Sequence, residues 1–170
     1  TTLGTGQILK EAAEKGFNRV IVGLGGSATN DAGAGMATAL GARFLDSRGN
    51  ALPPGGAALI SLDRLDTSGL LPRLTDMEII AATDVTNPLC GPTGASAIFG
   101  PQKGASKDVV AELDAALLNF AQVVKRDTGY DVLDIPGGGA AGGLGAGLIA
   151  FAGAKIQSGI DMVCEVLDFD

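Results

Sequence analysis

The chain has 170 residues, a length sufficient for one globular domain with its own hydrophobic core, or for two very small ones. Hydrophobic residues make up 46% of it and charged residues 18%, which excludes an intrinsically disordered chain. The net charge of −7 argues against a nucleic-acid partner, and the absence of histidine excludes Ser-His-Asp catalysis and His-ligated zinc from this chain.

The sequence has no feature of membrane attachment or export. No apolar run approaches the roughly 20 residues of a membrane span, and residues 1–10 lack the basic and apolar regions of a signal peptide. We therefore expect a cytoplasmic protein without a membrane partner. In that compartment Cys90 and Cys164, which form no paired motif, are expected to be reduced thiols.

The first forty residues alternate between helix and strand signals. Thr5 is the predicted N-cap of a helix that Gly16 ends. The apolar residues 20–24 then predict a strand buried on both faces. A loop over 25–31 follows, and small residues predict a helix over 32–40. This alternation indicates an α/β fold.

The middle of the chain has weaker signals. Residues 43–51 predict a short hairpin, and residues 53–72 have little periodicity and are expected to be irregular. Residues 77–83 predict a second buried strand, which delivers Asp84 at its carboxyl end. Open α/β sheets bind their ligands at such strand ends.

The second half begins with the strongest helix signal of the chain. Ser106 is its predicted N-cap, and its apolar residues recur at helical spacing. These residues are Val110, Leu113, Leu117, Phe120, Ala121 and Val124. A glycine cluster at 137–143 leads into a helix that ends near Gly153, and a last strand or helix fragment follows. We expect a mixed sheet with helices packed on it.

The loop over 25–31 is the first candidate binding site, because it follows a strand and opens a helix. Backbone N–H groups and the positive end of the helix dipole converge on an anion at such a position. The side chains of Ser27, Thr29 and Asn30 add hydrogen-bonding groups. The alternative is a capped turn in which Asn30 or Asp31 only satisfies the first amides of the helix.

Two aspartates, Asp31 and Asp84, each follow a predicted strand and could meet above neighbouring strands. A pair of carboxylates there would bind Mg²⁺ or take the proton from a hydroxyl nucleophile. The alternative is two independent turn residues.

Lys103 lies between two helix breakers, Gly100 and Gly104, just before the predicted N-terminus of the long helix. A lysine there can neutralise a phosphoryl group as a point charge. A surface lysine in a turn is the alternative. The cluster at 137–143 suggests a nucleotide loop, yet it lacks the Lys-Ser/Thr ending of a Walker A motif, and tight helix packing explains it nearly as well.

Four blocks of the sequence, in this order, resemble the glycerate kinase family, in its bacterial-type branch related to glyoxylate and glucarate breakdown. They are GGSATNDAGAGM at 25–36, DVTNPL at 84–89, FGPQKGA at 99–105 and GGGAAGG at 137–143. The resemblance covers nearly the whole chain. It implies transfer of the γ-phosphoryl group of ATP, with Mg²⁺, to a hydroxyl of D-glycerate, giving phosphoglycerate.

The resemblance also implies roles for particular residues. Asp31 or Asp84 would act as base or magnesium ligand, and Lys103 would stabilise the transferred phosphoryl group. The residues expected to hold substrate or phosphate are Ser27, Thr29, Asn30, Thr86, Asn87 and Gln102. The glycines expected at the nucleotide are Gly25, Gly26, Gly137, Gly138 and Gly139.

The family has two domains, with an Asp-Ser-Phe-Lys-Gly-type block early and a Gly-Glu-Gly-Arg-type block late, and this chain has neither. We therefore expect residues 1–170 to be the central α/β domain of such a kinase, partnered by the rest of its chain and in some cases by a second copy. Two alternatives stay open: an inactive fragment, or a domain that binds small anions without turnover.

Overall fold

The computed structural model describes residues 1–168, apart from the side chains of Glu165 and Val166. In chain order its helices and strands are α1 (Leu3–Glu14), β1 (Arg19–Gly23), α2 (Ala34–Ala39), β2 (Arg43–Leu45), β3 (Arg64–Asp66), β4 (Glu78–Ala82), α3 (Ala95–Phe99), α4 (Lys107–Thr128), α5 (Ala140–Ala152), β5 (Lys155–Gln157) and α6 (Gly159–Leu167). Short 3-10 helices cover Ala57–Ser61, Pro72–Asp76 and Pro101–Lys103.

The strands form two sheets, which confirms the predicted α/β class. β1, β4 and β5 are parallel, in the order β1-β4-β5, whereas β2 and β3 form an antiparallel pair. The parallel register pairs Ile21 with Ile80. Because the strands are parallel, their carboxyl ends meet at one edge, and the loops after β1 and β4 leave from there.

One face of the parallel sheet packs on helices. Val20, Val22, Ile79 and Ala81 belong to a core cluster that also contains apolar residues of three helices. Those residues are Leu9 and Ala13 of α1, Met36 of α2, and Leu144 and Leu148 of α5. The sheet and these helices therefore share one buried core.

The expectation of a fully buried first strand is wrong for the other face. Ile21 is 53% exposed, and Arg19 and Gly23 are exposed with it. β1 lies at the edge of the sheet, and β4 is its only partner in the part of the chain described. Only the face toward the helices is covered along β1.

A second core lies under the long helix α4. The rings of Phe44, Phe120 and Phe151 pack with centroids 5.7–6.3 Å apart. The predicted stripe of α4 is buried at its C-terminal four positions and half-buried at Val110 and Leu113. The predicted cap is confirmed, because the Val109 N–H donates to Ser106 Oγ at 3.3 Å.

Several boundaries differ from the sequence-based expectations. α1 begins at Leu3, so Thr5 lies inside it and is not its cap, whereas Gly16 follows its end with a φ of +81° as expected. Residues 46–50 form the expected turn, but only an isolated bridge joins Leu45 to Ala51. β2 pairs instead with β3, which lies in the segment expected to be irregular, because that pairing buries Leu65 beside Phe44.

The glycine cluster at 137–143 begins α5 in an unusual conformation. Ala141, Gly142 and Gly143 all have positive φ, and regular helix follows them to Ala152. Gly153, with a φ of +62°, ends α5 as expected. No helix in residues 1–168 is long and apolar enough to cross a membrane.

Glycine at position 147 sets the distance between α5 and the segment that precedes α2. A Cβ there would collide with the Ala32 carbonyl oxygen, and backbone would have to move. We expect Gly147→Ala to lower the free energy of unfolding by about 1–3 kcal/mol, the usual cost of overpacking. Chemical denaturation measures this change.

Gly4→Ala is the matched control, because a Cβ at this position of α1 meets nothing within 4 Å. Alanine is the better helix former, so stability should stay equal or rise by up to about 1 kcal/mol. Equal effects of the two variants would contradict a packing requirement at Gly147.

Candidate functional site

Two neighbouring cavities lie at the carboxyl ends of β1 and β4. The first, here called the glycine cavity, has a volume of about 190 Å³ and is lined in part by Gly25, Gly26, Ser27, Gln102 and Lys103. The second, here called the aspartate cavity, has a volume of about 320 Å³ and is lined in part by Thr29, Asn30, Asp31, Gly56, Gly100 and Lys103. Loop 25–31 and the turn at 100–104 thus form a shared wall.

Lys103 lines both cavities. It ends the 3-10 turn Pro101–Lys103, and its Nζ donates a hydrogen bond to the Thr29 carbonyl at 2.6 Å. Gly104 follows with a φ of +91°, a left-handed conformation that favours glycine. Among the described residues lining the two cavities, Lys103 is the only lysine or arginine.

The environment of Lys103 changes its acidity. Burial holds the pKa of Lys103 below its ordinary value of 10.5, and the nearby Asp31 carboxylate opposes part of that shift. The ammonium group is therefore incompletely hydrated and has no side-chain carboxylate bound directly to it in the described residues. The electrostatic interaction with an incoming anion is stronger for a half-desolvated cation of this kind than for a fully hydrated one.

Asp31 is buried and engaged within the protein. Its carboxylate accepts hydrogen bonds from the Thr2 N–H at 2.9 Å, from Thr2 Oγ1 at 3.1 Å and from the Gly33 N–H at 3.2 Å. The expected anion site at the start of α2 is thus already occupied by this carboxylate. The geometry is that of the alternative, a capping aspartate, although Asp31 also lines the aspartate cavity.

Asp84 has different surroundings. It is exposed and accepts hydrogen bonds from Ser158 Oγ at 3.0 Å and from the Ile160 N–H at 3.2 Å, at the start of α6. The Ile160 N–H and the Ser158 hydroxyl hold the pKa of Asp84 below its ordinary value of 3.8. Asp84 therefore bonds to the start of α6 from outside that helix, whose N-cap side chain is Ser158, and Asp84 remains ionised at neutral pH.

The hydrogen bonds of the described residues do not connect the two aspartates that were predicted to pair. Asp31 and Asp84 share no hydrogen-bond partner, and Asp84 is not among the residues that line either cavity. Within residues 1–168, apart from the two side chains left out, no group of three or more acidic or cysteine side chains could hold a metal ion.

Four of the six predicted polar residues line the two cavities, and the other two do not. Ser27 and Gln102 line the glycine cavity, and Thr29 and Asn30 line the aspartate cavity. Thr86 is exposed and Asn87 donates through Nδ2 to the Thr93 carbonyl at 2.8 Å, and neither residue lines a cavity of the site.

The two predicted glycine groups also separate. Gly25 and Gly26 are exposed and line the glycine cavity. Gly137, Gly138 and Gly139 are buried and line neither cavity, and a Cβ at Gly139 would collide with the Pro88 carbonyl. This collision gives packing a clear reason for glycine at position 139, and the placement of all three residues adds no support to the predicted nucleotide contact.

Two residues of the site were missed from sequence. The Asn30 side chain donates to Ser96 Oγ at 2.9 Å, and Ser96 is fully buried in α3. Ala141 lines the glycine cavity with a φ of +53°. Nothing in the sequence separates Ser96 from an ordinary small core residue, whereas Ala141 lies inside the glycine block that was already singled out.

The cysteines take no part in this chemistry. Cys90 and Cys164 are both free thiols. Burial, together with the charges of Asp114 and Asp134, raises the pKa of Cys90 to about 12, so the thiol stays protonated at neutral pH.

Comparison with known proteins gives a consistent result. A model of the glycerate kinase family matches residues 1–170. Glycerate 2-kinase of Escherichia coli (strain K12) is 52% identical over 170 residues, which cover 100% of this chain and 45% of that protein. Glycerate kinase of Bacillus subtilis (strain 168) is 48% identical over 170 residues, which cover 100% of this chain and 44% of that protein.

A solved structure is similar as well. The crystal structure of a glycerate kinase 2 candidate from Salmonella typhimurium LT2 has a TM-score of 0.96 and 51% sequence identity. The match covers 99% of this chain and 45% of that one. The chain thus spans a little under half the length of the relatives it matches.

The buried carboxylate of Asp31 generates a stability prediction. Asp31→Asn should lower the free energy of unfolding by about 2 kcal/mol or more, because the amide nitrogen would face N–H donors that now bind a charge. Asp84→Asn is the control, since asparagine keeps an acceptor oxygen for the Ser158 hydroxyl and the Ile160 N–H, and the position is exposed. Urea denaturation of both variants tests this, and an equally small change in both would contradict it.

Proposed function

The chain belongs to the glycerate kinase family, and on this basis we propose that it forms, within a longer polypeptide, one wall of a site where ATP phosphorylates D-glycerate. The observation that carries the proposal is the placement of Lys103. Its ammonium group lies half-buried between two cavities at the carboxyl ends of parallel strands. The rest of the kinase would come from sequence beyond this segment.

We assign D-glycerate to the glycine cavity. Its volume of about 190 Å³ is below the roughly 300–1,000 Å³ of pockets for drug-sized ligands, and it suits a small organic acid. The Ser27 hydroxyl and the Gln102 amide offer both donors and acceptors to hydroxyl and carboxylate groups. Gly25 and Gly26 let the backbone approach the ligand without side-chain obstruction.

We assign the transferred phosphoryl group to the boundary between the cavities. Phosphoryl transfer needs alignment and charge neutralisation more than covalent chemistry from the protein. Lys103, which reaches both cavities, would neutralise charge on the phosphoryl oxygens as the group passes to the glycerate hydroxyl. The Thr29 carbonyl, its present acceptor at 2.6 Å, holds the ammonium group in place for this task.

Magnesium, when bound to the phosphates of ATP, would supply further positive charge, and it commonly requires only one or two carboxylates from a protein. Asp84 fits this requirement better than Asp31, because it is exposed and both of its hydrogen bonds fall on Oδ1. The oxygens of Asp31 face three donor groups. Asp31 fits an orienting task, since it holds the loop that carries Thr29.

The contribution of Lys103 can be measured in the full-length kinase. Lys103→Met should lower kcat/KM by about 100-fold or more, the usual scale for losing one group that stabilises developing charge. Lys107→Met is the matched control, because Lys107 is exposed on the first turn of α4 and lines neither cavity. A loss of only a few-fold in Lys103→Met would remove Lys103 from the proposed mechanism.

The lowered pKa of Lys103 adds a pH prediction. As pH rises, Lys103 should lose its proton below 10.5, and kcat/KM should fall with it. In Lys103→Arg the positive charge persists to higher pH, so the fall in kcat/KM should begin at a higher pH than in the unmodified kinase. Circular dichroism over the same pH range separates this effect from unfolding, and an unchanged alkaline limb in Lys103→Arg would argue against titration of Lys103.

The alternative function is binding of small anions without turnover, and two measurements on the same full-length protein distinguish it from kinase activity. Calorimetry with D-glycerate and an assay for ADP release together separate the two functions. Binding of D-glycerate that depends on Lys103 but is accompanied by no ADP release would favour the alternative.

A further inference from the structure

β1 ends at the candidate site, and its outer edge is open. The Glu78 N–H donates to the Asn18 carbonyl at 2.8 Å, and the Leu24 N–H donates to the Ala82 carbonyl at 2.9 Å. A strand in a parallel ladder bonds to one neighbour through every second residue. The even-numbered residues of β1 therefore bond to β4, and the N–H and C=O groups of Arg19, Ile21 and Gly23 point outward.

The same three residues have the most exposed positions of the strand. Exposure alternates along β1, with Arg19, Ile21 and Gly23 exposed and the two valines half-buried. Ile21 is 53% exposed, and Phe17, just before the strand, is 56% exposed. An open strand edge flanked by exposed apolar side chains is a template for pairing with a further strand.

The usual protections of a free edge are lacking here. Edge strands are commonly guarded by a proline, a bulge or a charge directed outward. β1 contains no proline and pairs with β4 in unbroken register. Its only charged residue, Arg19, directs its Nε toward Glu78 of β4 at 3.1 Å, so its charge is not aimed at the free edge.

We propose that β1 is an interior strand of a larger sheet, paired on its outer edge with a β-strand from another part of the same polypeptide. The relatives that this chain matches are about twice its length, so sequence is available for that strand. Pairs within this sheet are parallel, and a parallel sheet is normally covered by helices on both faces. The added segment would pair with β1 and also cover Ile21.

A second copy of this chain fits the surface less well. Pairing of two β1 edges would satisfy the outward N–H and C=O groups. It would leave the face around Ile21 without a helical layer, because that face is uncovered along β1 in each copy. A segment that brings both a strand and its following helix meets both requirements.

The added strand would also contribute to the candidate functional site. A strand added parallel to β1 would end beside loop 25–31, where the glycine cavity lies. The residues that follow the added strand would then face Gly25 and Ser27 and supply a further wall. This inference does not depend on the identity of the substrate.

Hydrogen exchange in the full-length kinase tests the pairing directly. The amides of Ile21 and Gly23 should exchange at least about 100-fold more slowly than open-edge amides, as expected for hydrogen-bonded groups in a sheet. The amides of Val20 and Val22, bonded to β4, provide the internal reference. Fast exchange at Ile21 and Gly23 would overturn the proposal whatever other measurements give, and protection that appears only at high protein concentration would replace it with self-association.

Two variants test the side-chain part of the proposal. Ile21→Lys should lower the Tm of the full-length kinase by several degrees, because the lysine would enter a covered surface. Ile60→Lys is the control, since Ile60 is 51% exposed in the same structure and lies outside the sheet. If Ile21→Lys prevents folding, Ile21→Thr replaces it. A Tm unchanged by Ile21→Lys or Ile21→Thr would show that Ile21 is not covered in the full-length kinase and would overturn the proposed covering of this face.

Discussion

The position of the candidate site depends on one buried charge, the carboxylate of Asp31. It accepts hydrogen bonds from the backbone and side chain of Thr2 and from the Gly33 N–H, and Thr2 Oγ1 in turn accepts one from the Met36 N–H at 2.9 Å. A buried carboxylate is tolerated only when donors surround it in this way. The result is a fixed connection between the start of α1, loop 25–31 and the first turn of α2.

Close backbone packing holds the other side of the same loop. The Ala32 N–H donates to the Gly142 carbonyl at 3.1 Å, and a Cβ at Gly142 would collide with the Thr29 carbonyl. The left-handed residues that begin α5 make this approach possible, since glycine adopts that conformation without strain. Loop 25–31 is therefore held between a hydrogen-bonded carboxylate and a glycine-rich helix start. The Thr29 carbonyl, the acceptor for Lys103, takes its position from both.

The sequence predicted the fold better than it predicted the assembly of the site. Local signals in the sequence were sufficient to predict α4 with its Ser106 cap, the strand β4, and the glycines that end α1 and α5. Short elements without a local signal, such as β3 and α3, were not found, because their stability comes from distant contacts like the pairing of Leu65 with Phe44. The loops of the site were found, but the bonding of Asp31 to Thr2, 29 residues away, leaves no pattern in the sequence.

The charge balance shows how the proposed reaction would have to be shared. The chain has a net charge of −7, and both ATP and D-glycerate are anions at neutral pH. Positive groups can stabilise these anions only from nearby, because salt screens charge–charge interactions beyond about 8 Å at physiological ionic strength. Lys103 alone among the described lining residues meets that condition. One ammonium group can neutralise one of the charges on a transferring phosphoryl group, so in the proposed reaction the remaining positive charge would have to come from bound metal ions and from the rest of the polypeptide. The open edge of β1, which ends beside the glycine cavity, is the place where that polypeptide would approach.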